Sequence, residues 1–175
     1  SRRPGRKSGT QEKTIKYSIY CGIIALLSLV QSVGVSHFEI GNARCFVLIP
    51  ATVLLAMGED EIQAIFIGLF SGVLWDCFSP NHTAFNAVFF TVCCYALSLL
   101  LTHLFRETFW VRVVAVVLTS MLYTFFYWLI FVGAKKAGGS QALISFYFPS
   151  CIYTCVVGII LDFVLTPVKR KLNKE

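Results

Sequence analysis

Charge in this chain is displaced to its ends. Of fifteen Lys and Arg residues, six precede Tyr17 and four follow Val168. Between them lie long apolar runs broken by short polar stretches. A soluble domain carries roughly 25% charged residues, because its surface faces water; here 14% are charged and 57% are hydrophobic. Such a chain suits lipid, where a helix needs about 20 apolar residues to cross the hydrocarbon. The expected fold class is an all-α integral membrane protein, a compact bundle of six transmembrane helices.

The net charge of +6 does not point to nucleic acid. Phosphate binding wants cations on a folded surface, whereas these sit in two short tails flanking apolar runs. That placement suits anionic lipid headgroups and fixes orientation in a membrane. The uncharged run 17–36 exceeds the roughly 7–15 residues of a signal-peptide core, and no small-x-small cleavage site follows it, so it is expected to remain as the first helix. The seven cysteines form no CxxC pair and no zinc spacing. His37, His82 and His103 are scattered, so neither a disulfide framework, a metal site nor a cofactor is expected.

Charges and turn residues divide the chain into a basic tail 1–16, a transmembrane region 17–168 and a basic tail 169–175. The six runs fall at about 17–35, 45–58, 62–79, 83–105, 109–133 and 142–168. Ser79-Pro80-Asn81-His82 reverses the chain between the third and fourth, and 135–141 turns it before the sixth. The second run, with Pro50 and about 14 residues, is short enough to be re-entrant. Charge decides for a crossing. Six crossings place twelve Lys and Arg on the side of the tails and three on the other. Without the second crossing the count is eight against seven, and cytoplasmic loops carry the excess of cations. Both ends are therefore expected in the cytoplasm. Glu59-Asp60-Glu61 reads as the stop after the second run.

Two acids lie inside apolar runs, where a carboxylate costs about 2.5–3.5 kcal/mol at a helix centre. Ala64, Gly68, Gly72 and Asp76 recur every four residues and share one helix face, with Gly68 and Gly72 forming a GxxxG pair that lets another helix approach closely. Asp76 falls at the outer end of this stripe, level with Asn86, which is placed to donate to it. Cys151, Cys155, Gly158 and Asp162 form a similar face in the sixth run. Gly72-x-x-x-Asp76 and Gly158-x-x-x-Asp162 would run in opposite directions, in the manner of an inverted repeat. With no chain of further acids at mid-depth, each Asp reads as a polar clamp between helices in preference to a step in a proton pathway. Cys93-Cys94 reads as packing, and the stretch 123–128 as lipid-facing.

The residues Gly68-Leu-Phe-Ser-Gly72-Val-Leu-Trp-Asp76-Cys-Phe-Ser79, followed by Phe85-Asn86-Ala87-Val88, resemble the central signature of the MreD family of rod shape-determining membrane proteins. His103-Leu-Phe-Arg106-Glu107 is similar to the basic stop after that family's fourth span, and Phe148-Pro149 to Tyr153 with Pro167-Val-Lys-Arg170 is similar to its last helix and tail. Pro80 and Ala84 stand where the family often has Gly. The resemblance implies a non-enzymatic bacterial inner-membrane subunit that binds the bitopic protein MreC. It also implies an indirect link to a RodA-type glycosyltransferase and a class B penicillin-binding protein in side-wall peptidoglycan synthesis. Gly68, Gly72, Asp76, Asn86, Arg106, Gly158 and Asp162 are the residues expected to matter for structure or partners. The rival expectation is a solute-binding membrane subunit, like the substrate-capture component of energy-coupling-factor transporters. Such a subunit usually shows an Ala-x-x-x-Ala pairing motif, where this first helix has Cys21-x-x-x-Ala25.

Overall fold

The computed structural model describes residues 9–34, 46–78, 84–103, 108–130 and 148–172. Arg106 and the two expected reversals, 79–82 and 135–141, lie outside the described residues. Within them the chain forms six helices and no strand: α1 (Gly9–Gly34), α2 (Leu48–Ala56), α3 (Glu61–Phe78), α4 (Phe85–His103), α5 (Phe109–Trp128) and α6 (Phe148–Leu172). Five of them, all but α2, are long and apolar enough to cross a membrane. Large apolar side chains cover their outer surfaces, with Trp110, Val33 and Phe163 each about 70% exposed. In water so extensive an apolar exterior would drive association; facing lipid it carries no such penalty.

Direction follows from the cross-helix hydrogen bonds. The start of α2 meets the far end of α1, where the Leu48 amide donates to Gln31 Oε1 at 2.9 Å. Just past its end, Glu59 takes Lys16 and Tyr20 of the first half of α1. The second run therefore does reverse the chain. α3 and α4 form an antiparallel hairpin, Asp76 meeting Asn86 at one end and Ser98 meeting the Glu59 carbonyl at the other. Arg112 near the start of α5 is level with Asp162 of α6, while Tyr123 further along reaches Asn86. α6 runs alongside α2 in the same sense, from Thr154 at Phe46 to Lys169 at Leu54. Successive segments thus alternate, and Gly9 and Leu172 lie at the same end, called here the basic end.

α2 is the centre of the bundle. It has nine residues, all buried, so its length is about 14 Å, under half the ~30 Å of a bilayer's hydrocarbon. A full-length second span is not present among the described residues; a short pillar surrounded by five long helices takes its place. Pro50 sits in the first turn, where its missing N–H is not needed. The ends of a buried helix must find partners, and here Gln31 and Thr154 accept at one end while the Lys169 ammonium donates to the Leu54 carbonyl at 3.2 Å. Gly58 then turns the chain at φ 75°, a left-handed conformation that glycine adopts without steric cost.

Both outer helices exceed their apolar runs. α1 begins at Gly9, eight residues before 17, and α6 continues to Leu172, through Lys169, Arg170 and Lys171. Gln11, Lys13 and Lys16 are good helix formers, and Lys16 is held by Glu59. The tails at 1–16 and 169–175 are therefore partly helix.

Candidate functional site

At the end away from the basic tails, Asp76 closes α3 onto the start of α4. Its carboxylate accepts from Asn86 Nδ2 at 2.8 Å, the Ala87 amide at 2.9 Å and the Asn86 amide at 3.3 Å. The first amides of a helix have no partner within it, so Asp76 caps α4 from the neighbouring helix and its charge faces the positive end of the helix dipole. Asn86 then accepts from Tyr123 Oη at 2.9 Å through its own Oδ1, carrying the lock to α5. The expected clamp between Asp76 and Asn86 is present, with the cap as an addition.

Below this lock the small stripe fits α3 against α4. A Cβ added at Gly68 would lie 2.6 Å from the Phe90 carbonyl oxygen, and one at Gly72 would lie 2.6 Å from that of Asn86. Both contacts are with backbone, which cannot move aside as a side chain can. Gly158 serves another junction: its added Cβ would lie 2.8 Å from Val116 of α5 and 3.0 Å from Pro50 of α2. Around Tyr123 gathers an aromatic cluster, with the Trp75 and Phe89 ring centroids both 5.3 Å away. The expectation that 123–128 faces lipid holds for Phe125 and Phe126 and fails for Tyr123, which is 3% exposed. Its hydroxyl has a buried partner, and a buried hydroxyl without one is costly.

The basic end holds two further buried acids. Arg112 grips Asp162 side-on, Nε to Oδ1 at 2.6 Å and Nη2 to Oδ2 at 3.3 Å, and Thr166 Oγ1 donates to the same carboxylate at 2.9 Å. Glu59, 6% exposed, takes the Lys16 ammonium 2.8 Å from both of its oxygens. Tyr17 and Tyr20 hydroxyls each donate to Glu59 at 3.2 Å. Glu59 is therefore the central acceptor of a buried network, a role beyond the stop after the second run that the sequence suggested. Arg112, one of the twelve cations assigned to the side of the tails, is a buried partner.

Sequence reasoning identified Asp76, Asn86 and Asp162 but assigned Asp162 no counter-ion. The signal was present: Arg112 lies three residues into its apolar run, at the depth an antiparallel neighbour gives Asp162. Asp76 and Asp162 lie in oppositely directed helices, as a repeat would require, but Asp76 is two residues from the end of α3 whereas α6 runs on from Asp162 to Leu172. Their surroundings differ, one capping a helix and the other binding a guanidinium, so the likeness stops at the backbone.

Chemically the three carboxylates are acceptors that hold helices together. Asp76 is at one end of the bundle and Glu59 and Asp162 at the other. No group of three or more His, Cys, Asp or Glu converges to hold a metal among the described residues. No family model matches the chain, and neither a curated protein nor a solved structure matches it.

Proposed function

We propose that this chain is a non-enzymatic, multi-pass subunit of the bacterial inner membrane, with both ends in the cytoplasm. In this reading it belongs to the rod-type elongation machinery, binds an MreC-like bitopic protein and helps organise side-wall peptidoglycan synthesis. Its link to a RodA-type glycosyltransferase and a class B penicillin-binding protein is indirect. One observation carries the reading. In the segment that resembles the MreD signature, Gly68, Gly72, Asp76 and Asn86 each have a defined packing task. Gly68 and Gly72 bring α3 onto the α4 backbone, Asp76 caps α4, and Asn86 passes the lock to Tyr123. A signature whose residues hold one another supports a protein that works by presenting helix faces to partners.

Depletion in a rod-shaped host tests this. Cells should round and swell while septation continues, and the protein should co-purify in mild detergent with an MreC-like bitopic protein. Normal rod shape after depletion, together with vitamin uptake that depends on this protein, would install the solute-capture reading in its place.

A further inference from the structure

The antiparallel interface of α5 and α6 repeats every four residues. Arg112 meets Asp162 at 2.6 Å, and one turn on Val116 meets Gly158. The next two turns bring Ser120 to Cys155 and Thr124 to Cys151. The spacing of the two cysteines is not CxxC, but on a helix it puts both side chains on one face, and the two thiols touch. Cys151 is buried and Cys155 is partly exposed. Ser120 is 1% exposed, and its hydroxyl has no hydrogen-bond partner. A neutral thiol accepts only weakly, so facing Cys155 leaves that buried hydroxyl unsatisfied, a costly state. A thiolate in the same place would accept from it fully.

A thiolate inside an apolar interface needs a cation beside it. Arg112 is already neutralised by Asp162, two turns away from Cys155. Side chains four apart on a helix have Cβ atoms roughly 5–6 Å apart, wider than the ~3.5–4.5 Å of a disulfide. An ion between the sulfurs fits better, since two bonds of ~2.3 Å set them about 4.6 Å apart. No third His, Cys, Asp or Glu joins the pair among the described residues. Zinc would want four ligands, whereas two sulfurs select a soft monovalent ion. We propose that Cys151 and Cys155 bind one Cu(I) ion between α5 and α6 through their two sulfurs. One thiol gives up its proton to solvent and the other coordinates as a neutral thiol. One positive ion enters, one proton leaves, and the site stays uncharged. Ser120 then donates its hydroxyl to the thiolate sulfur. The inference goes beyond the elongation reading and does not depend on it.

The test uses the purified full chain in detergent, with Cys21, Cys45, Cys77, Cys93 and Cys94 replaced by Ala so that only this pair remains. Anaerobic titration with Cu(I) buffered by bicinchoninate should show one ion bound per chain and one proton released. X-ray absorption of the bound copper should show two sulfur neighbours. Cys151→Ser and Cys155→Ser should each abolish stoichiometric binding, and Ser120→Ala should weaken it about tenfold or more. A chain that keeps Cys93 and Cys94 in place of this pair should bind no stoichiometric ion, because adjacent residues on a helix do not face each other. The inference is overturned if the two-cysteine chain takes up no Cu(I), or if one ion bridges two chains. It is equally overturned if binding survives the loss of either thiol or is unmoved by Ser120→Ala. Uptake and stoichiometry are read on the two-cysteine chain itself, so a further variant that fails to fold does not hide the answer.

Discussion

Asp76 accepts three hydrogen bonds, two of them from backbone amides, and this makes its charge matter more than its size. Asn keeps the size but offers one oxygen, and its amide group would turn a donor toward an N–H. Asp76→Asn should therefore lower stability by about 1–3 kcal/mol, with Asp76→Leu worse, as read from unfolding in detergent. An unchanged midpoint for Asp76→Asn would contradict the cap. The sequence placed Asn86 level with Asp76, but the backbone donors of α4 become visible only in the folded hairpin. Arg112 and Asp162 make a second case. Arg112→Met leaves a buried carboxylate without its cation and should cost about 3–5 kcal/mol. Adding Asp162→Leu to that variant should restore part of the loss, since replacing both charges by apolar groups removes the orphan. A double variant no more stable than the single one would mean that the ion pair is not what holds α5 to α6.

The hairpin of α3 and α4 and the pillar α2 show what was legible element by element. The stripe Ala64, Gly68, Gly72 and Asp76 gave a contact face because helical spacing and small residues are local properties of the sequence. The stripe leaves its partner open as another helix, and the structure shows that partner to be α4. Gly72→Leu should destabilise strongly, above the ~1–3 kcal/mol of ordinary overpacking, because its side chain would meet the Asn86 carbonyl and not a yielding side chain. Leu69→Ala, at a position 42% exposed, should fall within about 0.5 kcal/mol. Similar losses for the two would mean that α3 and α4 do not meet at this stripe. α2 was less legible. Its apolar run predicts burial, but its central position depends on Gln31, Thr154 and Lys169, which come from α1 and α6 and satisfy its ends. Glu59 and Tyr123 escaped for the same reason. A charge beside a turn and an aromatic in an apolar run are locally ordinary, and only long-range contacts bury them.

For the whole molecule, the governing claim is that six segments alternate in direction even though one is too short to span a bilayer as a straight helix. Charge counting led to the same alternation, because only a reversal at the second run gathers twelve of the fifteen cations on one side. Gln31 of α1 meets the start of α2, and Tyr20 of α1 meets Glu59 just past its end; these two hydrogen bonds supply the geometry. Both tails must then share a side. The direct measurement is labelling of single cysteines, on a background without native Cys, by a membrane-impermeant thiol reagent added to whole cells. A cysteine at Ser140, between α5 and α6, should react. Cysteines at Ser8 and Asn173 should react only after the cells are opened. Labelling of Asn173→Cys from outside intact cells, with Ser8→Cys protected, would mean an odd number of crossings and would contradict the account at its centre.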